Sequence, residues 1–98
     1  MSIQQTEALV TTVNELGYDS VEMFALEKAK EVLCAEMAIY QQEVTEFEHK
    51  YGMDFQSFLE KFDSISQVGL FEKEDDEMEW RACLKAIELV ERKLKTLE

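Results

Sequence analysis

Glu46 and His49 are the residues of this sequence whose types and spacing come nearest to a metal site. A Glu-x-x-His pair places two ligands side by side on one helix in carboxylate-bridged di-iron bundles. At about 100° per residue, however, the apolar seam of the same helix lies roughly opposite both side chains. The metal of such a bundle sits inside, and the sequence has no second histidine. We therefore expect no metal and no other cofactor.

Carboxylates for acid–base catalysis are abundant, but the sequence singles out no pair of them. Catalytic carboxyls need surroundings that separate their pKa values, and the sequence indicates no such surroundings for any pair. His49 has no serine or cysteine nucleophile beside it in a recognisable motif, and no glycine-rich phosphate loop is present. The sequence therefore predicts that the protein is not an enzyme.

The charge of the chain is strongly negative, with 22 acidic and 10 basic residues and a net charge of -12. Binding of nucleic acid requires clustered lysine and arginine, so we expect no direct nucleic-acid partner. A basic protein would instead be attracted to such a surface. The other interpretation is that the acidity only keeps a small protein in solution, and the sequence leaves both open.

Length and composition indicate one all-helical domain spanning residues 1–98. A chain of this size supports a single hydrophobic core. Proline is absent and only three glycines are present, so few positions force a helix to stop. No apolar run is long enough to cross a membrane, and no signal sequence is recognisable, so we expect a cytoplasmic protein. Cys34 and Cys83 lack metal-ligand spacing and are predicted to be small core residues.

Local start and stop signals divide the chain into four predicted helices. Gly17 and Gly52 are suited to end helices, Asp19 or Ser20 to cap the second helix, and Asp54 to cap the third. The only substantial loop is expected between the third and fourth helices, with an acidic run in the first turn of the last one. The predicted helices are about 3–16, 20–50, 54–63 and 75–97, and the predicted loop is 63–74.

The second helix is too long for a compact monomer. A helix of about 30 residues is about 45 Å long, which exceeds the width of a globule of this size. A second strip of Ala25, Val32, Ala35 and Ile39 lies beside its seam. The sequence predicts an all-α helical hairpin or bundle completed by dimerisation or by a partner. The expected dimer seam consists of Leu26, Leu33, Met37, Tyr40, Val44 and Phe47.

Aromatic and acidic residues in the second half of the chain are predicted to form a protein-binding surface. Three phenylalanines share one face of the third helix and must be covered, because bare apolar area of that size causes aggregation. Trp80 is either the lid of a small core or an interface anchor. The expected binding residues are Phe55, Phe58, Phe62, Leu70, Phe71, Glu72, Asp75, Asp76, Glu77 and Trp80.

The stretch from Phe47 to Phe58, with its helix break at Gly52, is followed by an acidic spacer and by Glu79 and Trp80. This pattern resembles small acidic helical proteins encoded beside toxins in prokaryotes, which are commonly treated as antitoxins. The resemblance implies an antitoxin-like protein. The chain departs from familiar antitoxin DNA-binding arms, because its first basic residue is Lys28.

The leading hypothesis from the sequence is an acidic protein-binding module that neutralises a cognate basic partner by steric and electrostatic masking. Buried aromatic residues would provide affinity, and opposite charge would speed the encounter. One alternative is a homodimeric helical bundle with a structural or assembly role. Another is a nucleic-acid mimic that inhibits a nuclease.

Overall fold

The computed structural model describes all residues 1–98 and contains α-helices and one short 3-10 turn, with no strand. The all-α prediction is therefore confirmed. Two of the four α-helices are long and two are short. They are α1 (Ile3–Glu15), α2 (Val21–Tyr51), α3 (Phe55–Glu60) and α4 (Leu70–Thr96), and the 3-10 turn is Phe62–Ser64.

The helices α2 and α4 pack against each other as an antiparallel hairpin. Two side-chain contacts define the direction. Tyr51, at the end of α2, contacts Asp76 near the start of α4, whereas Glu43, earlier in α2, contacts Cys83 later in α4. The two helices therefore run in opposite directions, and the predicted helical hairpin is confirmed.

Local signals set both ends of α2 close to the predicted positions. Ser20 is the N-terminal cap, and its side chain accepts a hydrogen bond from the Met23 backbone N–H at 3.1 Å. Gly52 ends the helix with φ of 69°, in the left-handed region that glycine adopts without strain. The helix is continuous across Tyr40, and its 31 residues span about 46 Å.

The short helices also begin at capping residues. Asp54 accepts a hydrogen bond from the Ser57 backbone N–H at 2.8 Å, as predicted, and this bond holds the pKa of Asp54 below its usual value. Ser2 and Gln5 form a capping box at the start of α1. Val13 is the one buried residue of α1, which packs against α2 over only a short stretch.

The predicted loop over residues 63–74 is too long, because α4 begins at Leu70 rather than near residue 75. Lys73 explains the early start. It is buried, and its ammonium group donates to the carbonyl oxygens of Phe62 and Ile65, both at 2.8 Å. These two bonds tie the first turn of α4 to the end of the 3-10 turn. The acidic run consequently lies within the first turns of an established helix.

The molecule is elongated, with extents of 64 × 23 × 17 Å and a radius of gyration of 20.7 Å. A compact domain of this length has a radius of gyration of about 13 Å. Only 9 of 98 residues are buried, which follows from two helices being covered mainly by each other. The main core lies at one end of the hairpin, around α3 and the adjoining halves of α2 and α4.

Candidate functional site

Trp80 is the centre of an aromatic cluster that fixes the relative positions of α2, α3 and α4. Its side chain is 0% exposed, and its ring stacks on Phe47 of α2 at a centroid distance of 5.4 Å. Phe55 and Phe58 of α3 approach the same indole at 5.1 and 5.2 Å. The interpretation of Trp80 as a core residue is confirmed. Its indole N–H has no hydrogen-bond partner within the chain.

A hydrogen-bonded network joins the end of α2 to the start of α4 beside this cluster. The Tyr51 hydroxyl donates to Asp76 Oδ2 at 2.5 Å, and the Lys50 ammonium donates to the same oxygen at 2.6 Å. Lys50 also pairs with Glu72 at 3.1 Å. Burial and the bond to Asp76 raise the pKa of Tyr51 far above its usual value. The bond to Asp76 likewise raises the pKa of Lys50.

The predicted protein-binding residues fall into two groups in the structure. Phe58, Asp76 and Trp80 are buried, and a partner cannot touch them without opening the core; their assignment to a contact surface is therefore corrected. They lie inside because the face of α3 that carries Phe58 closes over Trp80. The other predicted binding residues remain at least partly accessible. Three are half-buried, namely Phe55, Phe62 and Glu77, and four are exposed, namely Leu70, Phe71, Glu72 and Asp75.

Part of the predicted dimer seam is used within the chain. The α2 seam packs on α4, and Val44 and Phe47 pack directly against the aromatic core. The other four residues of the predicted seam are half-buried. They are Leu26, Leu33, Met37 and Tyr40. Val44 and Phe47 are therefore corrected from a surface for a second copy to the core of the hairpin. The helix that packs on α2 is α4 of the same chain, as the predicted hairpin requires.

The second strip of α2 remains uncovered, and we refer to Ala25, Val32, Ala35 and Ile39 as the α2 outer face. Val32 and Ile39 are 66% and 61% exposed. Glu46 continues the same side of the helix, because Val32, Ile39 and Glu46 are each two helical turns apart. From Ala25 to Glu46 this face is about 32 Å long. It therefore passes from an apolar half into an acidic half.

The acidic half borders a cleft of about 350 Å³ between α2 and α4, which we call the acidic cleft. Its lining consists of Glu43, Glu46, Phe47, Lys50 and Glu79. Lys50 is already engaged by Asp76 and Glu72, so it does not neutralise the three glutamates. A cation entering the cleft would meet carboxylates and an aromatic ring, which is the setting that binds ammonium and guanidinium groups.

The Glu46 and His49 pair is not directed into the hairpin. Both side chains are exposed, as the helical angle predicted. No group of three or more His, Cys, Asp or Glu side chains has an arrangement that could hold a metal ion. Glu46 instead takes part in the acidic cleft.

The two cysteines occupy different environments, and the prediction that both are core residues is wrong for Cys34. Cys34 is exposed, because it lies on the side of α2 away from the seam, and Cys83 is buried. The Cys83 thiol donates to Glu43 at 2.8 Å. Burial, followed by this bond, raises the pKa of Cys83 to about 12. Cys83 is therefore a protonated structural thiol at neutral pH.

Sequence reasoning missed the structural roles of Lys73 and Asp76. The signal was present, because the apolar stripe that contains Trp80, continued backwards at helical spacing, reaches Asp76 and then Lys73. A charged residue at a core-facing position needs a partner inside the fold. Tyr51 and the backbone carbonyls of the 3-10 turn region supply those partners.

No helix in the structure combines the length and the apolar character needed to cross a membrane. Comparisons with protein families, with curated proteins and with solved structures found no match. The functional assignment therefore depends on the geometry and charge of the exposed surfaces.

Proposed function

We propose that this chain is an acidic all-α protein-binding module that holds a basic segment of a partner protein along the α2 outer face and in the acidic cleft. The observation that carries this proposal is that the α2 outer face and the acidic cleft form one continuous surface. Exposed Val32 and Ile39 lie on the same side of α2 as Glu46, which lines the cleft. Such a surface suits an amphipathic segment that carries apolar and basic side chains.

The action of the module on its partner would be steric and electrostatic rather than chemical. Apolar contacts with Val32 and Ile39 would supply affinity, and the net charge of -12 would speed association with a basic protein. Covering a basic surface would block any phosphate-binding role of that surface. In the antitoxin-like form of this proposal, the partner is a toxin encoded beside this protein.

The cleft geometry favours an arginine or lysine side chain as the anchor. Glu43, Glu46 and Glu79 line the cleft together with Phe47. An arginine can pair with two carboxylate oxygens at once and stack on an aromatic face. Removing the negative charge of these three glutamates should therefore weaken partner binding far more than removing three charges elsewhere.

The test is purification of the tagged protein from its own host, with mass spectrometry and light scattering of the bound material. We expect a basic protein in stoichiometric amount with the native chain. The triple variant Glu43→Gln, Glu46→Gln, Glu79→Gln should lose it. A matched triple variant, Glu15→Gln, Glu91→Gln, Glu98→Gln, has the same net charge and alters only exposed residues remote from the cleft; it should retain the partner.

Three results would contradict the proposal. They are the absence of any stoichiometric basic partner, equal loss of the partner in both triple variants, and equal retention in both.

A nucleic-acid mimic would respond to a different set of substitutions. Replacing Glu72, Asp75 and Glu77 with the corresponding amides should abolish mimicry and leave the proposed interaction intact. Asp76 is not replaced, because it is buried and bonded to Tyr51.

A further inference from the structure

The side of α4 that points away from α2 carries a second uncovered apolar strip. We call Phe71, Met78, Ala82 and Leu89 the α4 outer face. Phe71, Met78 and Leu89 are 82%, 70% and 51% exposed. Their spacing of seven, four and seven residues places them on one side of the helix, opposite buried Trp80. Large side chains in such a row usually mark an interaction surface.

Charge is distributed unevenly along this face of α4. Glu74 and Asp75 lie in the first third of the helix, and Arg92 and Lys93 lie near its end. Glu74, Asp75 and Lys93 have no ion-pair partner within the chain, whereas Arg92 pairs only with Glu88 on the exposed surface. The face therefore has an acidic end, a basic end and a middle that is apolar apart from the exposed Lys85.

We propose that the α4 outer face binds the same face of a second copy of this chain, with the two α4 helices antiparallel. This arrangement brings the acidic end of each copy to the basic end of the other. A two-fold axis between the levels of Ala82 and Lys85 sets Met78 opposite Leu89 of the second copy. The same register places Asp75 opposite Lys93, and each of these contacts occurs twice.

The helical angles support this register over other pairings. In an antiparallel pair of helices, the same flank of each helix meets across the interface. Asp75 and Lys93 lie on one flank of the α4 outer face, and Glu74 and Arg92 lie on the other. Both flanks therefore pair opposite charges at their two ends, and Lys85 lies near the axis between them. A parallel arrangement would instead set the acidic end against the acidic end and the basic end against the basic end, so like charges would repel.

The surface area agrees with an interface that the monomer leaves open. The accessible surface is 7201 Å². A compact monomer of 11.5 kDa exposes about 5,800 Å². The excess of about 1,400 Å² is larger than the roughly 800 Å² that each partner contributes to a standard interface.

The α2 outer face is not suited to the same role. Its flanking carboxylates, which include Glu36, Glu43 and Glu46, continue along the helix, and its lysines Lys28 and Lys50 already hold ion pairs. Two copies joined through α2 would set acid against acid. The proposed dimer uses a different face from the basic partner, so it does not depend on the proposed function.

Sedimentation equilibrium of the purified full chain tests the dimer directly. We expect a mass twice the 11.5 kDa of the chain. Met78→Glu and Leu89→Glu should each raise the dimer dissociation constant by at least about tenfold, because each deletes an apolar contact at the centre of the interface. Ile39→Glu is the matched control on the α2 outer face and should leave the constant unchanged. Helix content from circular dichroism should stay the same in all three.

A charge-reversal pair tests the antiparallel register. Asp75→Lys sets a cation opposite Lys93 and should weaken the dimer at low salt, and adding Lys93→Asp should restore it. A monomeric native chain would overturn the proposal. So would a dimer that is dissociated by Ile39→Glu but not by Met78→Glu or Leu89→Glu, and so would a double reversal that fails to restore association. A monomeric native chain that still binds the basic partner would refute only this inference and leave the proposed function standing.

Discussion

The Tyr51 hydroxyl and the Asp76 carboxylate meet at 2.5 Å across the packed faces of α2 and α4. The two residues are 25 positions apart in the chain, and this bond fixes where along α2 the helix α4 lies. Lys50 supplies the charge that a buried carboxylate requires. The network therefore sets the register of the hairpin at the end where the aromatic core is built.

Removal of the Tyr51 hydroxyl should weaken this end of the hairpin. We expect Tyr51→Phe to lower the free energy of unfolding by roughly 1–3 kcal/mol, because Asp76 stays buried with one donor fewer. Urea denaturation followed by circular dichroism measures the change. Tyr40→Phe is the control, since Tyr40 is half-buried in the same helix and does not contact Asp76. Equal effects of the two substitutions would contradict this role.

Lys73 should be required for the first turn of α4. Lys73→Met removes both hydrogen bonds to the carbonyl oxygens of Phe62 and Ile65 and leaves these groups without that donor. We expect a loss of roughly 1–3 kcal/mol in stability and faster amide hydrogen exchange over residues 73–77, whose N–H groups are the first in α4 to have helical acceptors. Lys95→Met, at an exposed position near the other end of α4, serves as control. Unchanged exchange over residues 73–77 would show that the turn forms without Lys73.

Trp80 should tolerate an aromatic replacement and not a small one. Trp80→Ala opens the centre of the core and should cost roughly 3–5 kcal/mol, which is a large part of the stability of a small domain. Trp80→Phe should cost clearly less, because a phenyl ring still fills most of the space among Phe47, Phe55 and Phe58. Thermal denaturation compares the two variants. A melting temperature that Trp80→Ala leaves unchanged would be inconsistent with a core role.

The stability of the fold should decrease in alkaline solution. The pKa of Cys83 rises from 9.0 to about 12 in the folded protein, so the folded state holds this proton more tightly than the unfolded state. The resulting stabilisation is complete below pH 9 and is lost as the pH rises towards 12. Tyr51, whose ordinary pKa is 10.0, acts in the same direction above pH 10.

Urea midpoints measured between pH 8 and pH 11 test this dependence. We expect Cys83→Ser to flatten the fall that begins near pH 9, because the hydroxyl can still donate to Glu43 and does not ionise in this range. Cys34→Ser is the matched control, since Cys34 is exposed and should leave the pH dependence intact. If the urea midpoint of the native chain does not fall above pH 9, ionisation of Cys83 is not coupled to unfolding.

Much of the secondary structure follows from signals that act within a few residues. Gly52 ends α2 because only glycine takes the required backbone angle without strain, and Asp54 begins α3 because its carboxylate reaches the Ser57 amide. The start of α4 was misplaced because it depends on Lys73 reaching back to Phe62 and Ile65, which is a contact between segments.

The binding surfaces were harder to predict. The sequence identified the aromatic residues of the third helix and Trp80 as apolar positions that must be covered, but not by what. Phe58 and Trp80 cover each other, and the face that remains open on α4 is formed instead by Phe71, Met78 and Leu89. Of these three, only Phe71 was expected in a binding surface.

By itself, the sequence determined the helical class, the four helices and the acidic character of the protein, since capping, periodicity and charge are properties of neighbouring residues. Only the tertiary structure decided that the α2 seam packs on α4 of the same chain, that Asp76 and Lys73 are buried, and that Cys34 is exposed. Helical periodicity shows which residues share a face. It does not show which face is covered, because that depends on contacts between residues far apart in the chain.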